Sequence, residues 1–146
     1  MDLTNLHSLS ATGAARLTRD GVISAEQLLD ACLARVRETD AQVQAWAFLD
    51  PDHALAQARA ADAWRLEGRP IGPLHGVPVG IKDIFDTADM PTEYGSVLYA
   101  GRTPSRDAAA VAMLRAAGAV IIGKTVTTEF ATQAPGKTRN PHDPER

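Results

Sequence analysis

Lys82 closes the segment GVPVGIKD, in which Val77, Val79 and Ile81 alternate with small residues and read as a strand. Lysine is scarce in this chain. Of fifteen basic residues only Lys82, Lys124 and Lys137 are lysines, and arginine supplies the rest. The two types differ chemically, because a buried lysine can give up its proton and an arginine effectively cannot. A lysine at a strand end is therefore a candidate general base, provided that desolvation or neighbouring positive charge favours the neutral amine. Gly76 and Gly80 allow other backbone to approach closely. The carboxyl end of a parallel strand is also where open α/β sheets place their ligands. The plain alternative is a lysine whose stem packs while its ammonium reaches water, and the residues alone leave both readings open. An ion pair from Lys82 to Asp83 is disfavoured, since adjacent strand residues point to opposite faces.

The stretch GAVIIGKT, Gly118 to Thr125, matches the phosphate-binding pattern GxxxxGK[ST] letter for letter. That pattern needs a flexible loop that follows a strand and opens a helix. Here Ala119, Val120, Ile121 and Ile122 read as the strand itself, and a helix precedes them. Lys124 is accordingly expected where a parallel strand emerges, with no nucleotide bound. His75 stands alone in a proline-glycine loop, without a partner at metal-ligand spacing. Cys32, the only cysteine, sits among Leu28, Leu29, Leu33 and Val36 and reads as a small core residue. Neither a disulfide nor a metal motif is available, and no metal or cofactor is expected.

Around these residues the elements follow from caps and periodicity. A helix is predicted from about Ser8 to Arg19, stopping near Gly21. Ser24 with Gln27 forms a capping box opening SAEQLLDACLARVRETD. VQAWAFLD is a strand candidate, and Asp50-Pro51 caps an alanine-rich helix that runs to about Glu67. GRPIGPLHG is a connecting loop. Beyond it, VPVGIK and AVII read as buried strands flanking the helix RDAAAVAMLRAAG, with a cap expected at Ser105 or Asp107. Strand, crossover, helix, strand implies a parallel pair with a right-handed connection. Apolar runs without alternation imply cover on both faces. The prediction is an α/β fold in one domain, residues 1–146: mainly helical over 1–68, then an α/β segment over 69–146.

Composition narrows the function. The net charge is −3 and 45% of residues are apolar, with arginines dispersed. Nothing electrostatic favours nucleic acid or an anionic membrane. No apolar run approaches a membrane span, and MDLTNLHSLS lacks the marks of a secretion signal, so a cytoplasmic protein is expected.

The strings GPLHGVPVGIKD, DAAAVAMLRAAGAVIIGKT, TEFA and TRNP stand in the order and approximate spacing of the amidase signature family. The chain resembles that family well from about Gly72 to Pro141 and loosely before it. The resemblance implies a mixed α/β fold on one large twisted sheet, of which these N-terminal helices and the βαβ portion form an incomplete part. It also implies hydrolysis of a small-molecule amide by a Ser–cis-Ser–Lys triad, with Lys82 as the base and Ala131 and Thr132 lining the acyl pocket. In the family both serines follow the Asn140-Pro141 position, starting in a Gly-Gly-Ser-Ser-Gly-type segment. None of Ser8, Ser10, Ser24, Ser96 and Ser105 occupies either place. The expectation is the N-terminal portion of an amidase, inactive in isolation and prone to self-association through exposed sheet edges. Two alternatives are a glutamine-hydrolysing amidotransferase subunit of the same family and a non-catalytic partner-binding domain.

Overall fold

Local capping sets most element boundaries in the computed structural model, which describes residues 5–132 and 134–145. Helix α1 (Ala11–Arg19) starts behind Ser10, whose hydroxyl accepts from the Gly13 N–H. Helix α2 (Ala25–Val43) opens on the expected reciprocal box. The Ser24 N–H donates to Gln27 Oε1 at 2.9 Å, and the Gln27 N–H donates to Ser24 Oγ at 2.9 Å. It runs three residues past Asp40, since no glycine or proline interrupts it, and ends where Gln44 turns to φ 53°. Strand β1 (Trp46–Leu49) follows. In α3 (Pro51–Leu66) the Asp50 carboxylate accepts from the His53 N–H, with proline in the first turn. Strand β2 (Pro78–Lys82), helix α4 (Ala109–Ala116) and strand β3 (Val120–Thr125) complete the order. Helix α4 begins later than expected, and Asp107 instead accepts from the distant Ala88 N–H at 2.8 Å.

The chain divides into two compact units. The first comprises the residues up to Val36, Asp50–Val79 and Met113–Ile122. Its core gathers Ala14, Leu17, Ile23, Leu28 and Val77, with Cys32 half-buried against them. Several buried polar groups there are satisfied by long-range bonds. Asp62 accepts from the N–H groups of Ala25 and Glu26, closing the start of α2 from α3. Gln57 bonds both backbone groups of Ile121, and Thr18 donates to the His75 carbonyl at 2.8 Å.

The second unit comprises Arg37–Leu49, Gly80–Ala112 and the residues from Gly123 onward. The sheet order is β1-β3-β2. β1 pairs antiparallel with β3 through Phe48↔Lys124 and Leu49↔Gly123, with a bulge between Trp46 and Phe48. β2 meets β3 in parallel register: the Val120 N–H bonds Val77 O, and further along the Asp83 N–H bonds Thr125 O. The βαβ reading stands, and GAVIIGKT is a strand, not a phosphate loop. Cover on both faces holds for β3, buried along nearly its whole length. It fails for β2, which is an outer strand with exposed positions at Gly80 and Lys82. Its apolar run reflects one inward face, with Val77 and Ile81 buried and Val79 packed partly against the core.

Candidate functional site

Strand alternation decides the fate of Lys82. Ile81 and Asp83 occupy inward positions and are buried, so Lys82 falls on the other face, where it is exposed. The Lys82 amine is thus not shielded by the described residues, although Trp46 and Thr125 pack over Gly80 on the same face. The backbone beneath the side chain is nevertheless tightly held. The Lys82 carbonyl accepts from the Phe85 N–H at 3.0 Å, the Asp83 N–H donates to Thr125 O at 2.9 Å, and the Asp83 carbonyl accepts from the Tyr94 N–H at 3.1 Å.

The buried lysine is the other one. Lys124, expected only where a parallel strand emerges with no nucleotide bound, is 0% exposed. Its Nζ lies 3.0 Å from Asp83 Oδ1, an ion-pair contact outside hydrogen-bond alignment. It donates to Thr92 Oγ1 at 2.5 Å and to the Pro91 carbonyl at 3.2 Å. Burial pushes the Lys124 ammonium below the ordinary lysine value of 10.5, and Asp83 and Asp86 oppose that shift. The second Asp83 oxygen accepts from the Glu93 N–H at 3.1 Å, so one carboxylate ties both ends of the 83–93 turn. Thr92 extends the tie, sharing its hydroxyl with Thr87 and the Thr87 N–H.

A second cluster lies on the same unit. Arg102 grips Asp86 with both terminal nitrogens, at 2.9 and 3.0 Å, and lies over the Tyr94 ring. The guanidinium and the Tyr94 hydroxyl, which donates to Asp86 at 2.8 Å, hold that carboxyl below the usual carboxylate value. Tyr94, Tyr99 and Phe130 pack edge-on and tilted, with centroids 5.1 to 6.3 Å apart.

Ala131 and Thr132 are exposed; Ala131 ends a turn, Glu129–Ala131, that departs from helical geometry, and Thr132 follows it. Phe130 and Ala131 take φ of 47° and 58°, and Tyr94 takes 56°. For residues with a Cβ such angles cost about 1–2 kcal/mol each, and strain of this kind clusters where chains are shaped for ligands. Two bonds hold the turn. The Phe130 N–H donates to Tyr94 O at 2.8 Å, and the buried Ser96 hydroxyl donates to Glu129 Oε1 at 2.7 Å. Glu129 is therefore a long-range acceptor, and Ser96 is committed to it. A backbone relay links the residue after Lys82 to the residue before Ala131: Asp83 O accepts from Tyr94, and Tyr94 O accepts from Phe130.

Sequence reasoning missed Asp83, Thr92, Tyr94 and Arg102. The one available signal was the acidic-aromatic density of DIFDTADMPTEY after Lys82. His75 is buried as a loop histidine, with Nε2 unpartnered, and burial lowers its pKa. Among the described residues no group of three or more His, Cys, Asp or Glu could hold a metal, and no helix is long and apolar enough to cross a membrane.

The Amidase family model matches residues 27–146. The chain is 43% identical over 150 aligned positions to the glutamyl-tRNA(Gln) amidotransferase A subunit of Chloroflexus aurantiacus, covering 99% of this chain and 31% of that protein. It is 44% identical to the counterpart from Salinispora arenicola, covering 97% of this chain and 30% of that one. The native peptide amidase of Stenotrophomonas maltophilia has a similar structure, with a TM-score of 0.85 at 34% identity over 94% of this chain and 31% of that chain. The chain thus spans less than a third of the length of these relatives.

Proposed function

Because the chain belongs to the amidase signature family, we propose that it supplies the base-bearing part of an amide hydrolase of the Ser–cis-Ser–Lys type. The observation that carries this reading is the position of Lys82. It ends β2 with its side chain on the open face and its peptide units fixed by bonds to Phe85, Thr125 and Tyr94. A rigid mount and an accessible amine are what a base needs to meet hydroxyls brought by other parts of an enzyme. Once those parts cover it, desolvation favours the neutral amine. Lys82 then accepts a proton from the bridging serine, and that serine deprotonates the nucleophilic one, which attacks the amide carbonyl. Ala131 and Thr132, on the strained turn reached through Tyr94, contribute to the acyl pocket.

On this reading the 146 residues form the N-terminal part of a single amidase domain in a cytoplasmic enzyme, and they do not hydrolyse amides alone. The outer strands β1 and β2 offer edges through which the isolated chain self-associates. The test is amide hydrolysis by the 146-residue chain and by the product of the complete reading frame. Turnover only in the latter, abolished by Lys82→Ala, supports the reading. Lys82→Ala at wild-type turnover refutes it.

The identity to amidotransferase A subunits favours a second reading, a glutamine hydrolase that passes on ammonia to a glutamyl-tRNA(Gln) partner system. Glutamine as the preferred substrate, over simple carboxamides and peptide amides, would select it.

A further inference from the structure

The proposed base sits beside a buried cation that it never touches. Lys124 Nζ faces Asp83, Thr92 Oγ1 and the Pro91 carbonyl, and none of its surface reaches solvent. It therefore cannot meet a substrate, and its reach covers both ends of one loop. Asp83 directly follows Lys82, while Pro91 and Thr92 lie where the loop returns. The Asp83 carboxylate also receives the Glu93 N–H, and its carbonyl receives the Tyr94 N–H. Removing the ammonium would leave a buried carboxylate without its counter-charge, at the residue whose peptide unit aims Lys82.

We propose that Lys124 is a positioning residue: through Asp83 and Thr92 it locks the 83–93 turn and so fixes the direction in which Lys82 projects. This rests on Lys82 being the base. Lys82 belongs to the active surface, and Lys124 is the internal post that holds its mount. The adjacency of two lysine-bearing strands, β2 and β3, in parallel register is what makes the arrangement available.

The test compares Lys82→Ala, Lys124→Met and the pair Asp83→Asn with Lys124→Met in the product of the complete reading frame, with an amide substrate. The pair removes both charges together, so it folds even where the single variant does not. Expected is a kcat reduced about 10- to 100-fold in both Lys124 variants with KM within threefold. A kcat within twofold of wild type in the pair, with Lys82→Ala inactive, overturns this inference and leaves the reading of Lys82 standing. Full activity of Lys82→Ala overturns both. A wild-type measurement needs no variant: amide exchange at Asp83, Phe85 and Tyr94 is expected to be as slow as at Val126, whose N–H bonds Ala45 O. Exchange 100-fold faster at those three sites would mean that the turn is not locked and would overturn the inference.

Discussion

Lys124→Met tests the energetic logic of the second unit most directly. The side chain is fully buried, and its ammonium faces one carboxylate, one hydroxyl and one carbonyl. Methionine fills similar volume, so the cavity contribution is small and the electrostatic one dominates. Breaking a buried pair from one side costs about 3–5 kcal/mol, because the surviving charge is stranded. Small domains carry only about 5–15 kcal/mol in total, so the variant should sit near its unfolding threshold. Asp83→Asn combined with Lys124→Met strands no charge, and the amide oxygen of the substituted side chain still accepts from the Glu93 N–H. The pair should therefore be less destabilised than Lys124→Met alone. Urea unfolding followed by Trp46 fluorescence in a Trp64→Phe background reads this unit, since Trp46 begins β1 and Trp64 belongs to the first unit. The pH dependence adds a sign. Burial places the folded pKa of Lys124 below 10.5, so between that lowered value and 10.5 the unfolded chain holds a proton that the folded chain has released. Stability then rises with pH across the window. Wild-type stability should climb relative to Lys124→Met as pH approaches 10.5 and level off above it. A single-variant cost below about 1 kcal/mol, or a gap that narrows with rising pH, would refute the account.

Other expectations follow from single sites. Lys82→Ala should abolish amide turnover in the complete enzyme while changing the stability of the 146-residue chain by less than about 0.5 kcal/mol, because its side chain is exposed here; a loss of several kcal/mol in a urea melt would contradict that placement. His75 is 5% exposed with Nε2 unpartnered, and burial lowers its pKa from 6.5 against the opposing Ala61 backbone and Asp62. The stability it contributes is present above 6.5 and is lost as pH falls from there through the lowered value. Melting between pH 7 and 5 should show this slope, and His75→Gln should flatten it. Gly72→Ala should cost about 2 kcal/mol or more, since a Cβ there would collide with the Ala117 carbonyl, which is backbone and already receives the Leu74 N–H. An unchanged melting temperature would mean that the two segments do not pack as described.

Features governed by short range were legible in the residues alone. The Ser24–Gln27 box, the Asp50 cap and the glycine-ended helices depend on neighbours three or four residues away, and each appears where the residues demanded it. The β2–α4–β3 unit could be read for the same reason, and so could the family, since its strings are local. Which lysine is buried was settled only in three dimensions. Lys82 ends one apolar strand and Lys124 lies one residue from the end of another, but β2 is an outer strand and β3 lies between two partners, so the cover falls on Lys124. Its partners Asp83 and Thr92 are far away in sequence, as are the two ends of the Ser96–Glu129 bond and the left-handed turns at Tyr94 and Phe130. No local rule pairs them. A buried charge finds its counter-charge only after the strands have chosen their neighbours, and that choice is made by the whole sheet.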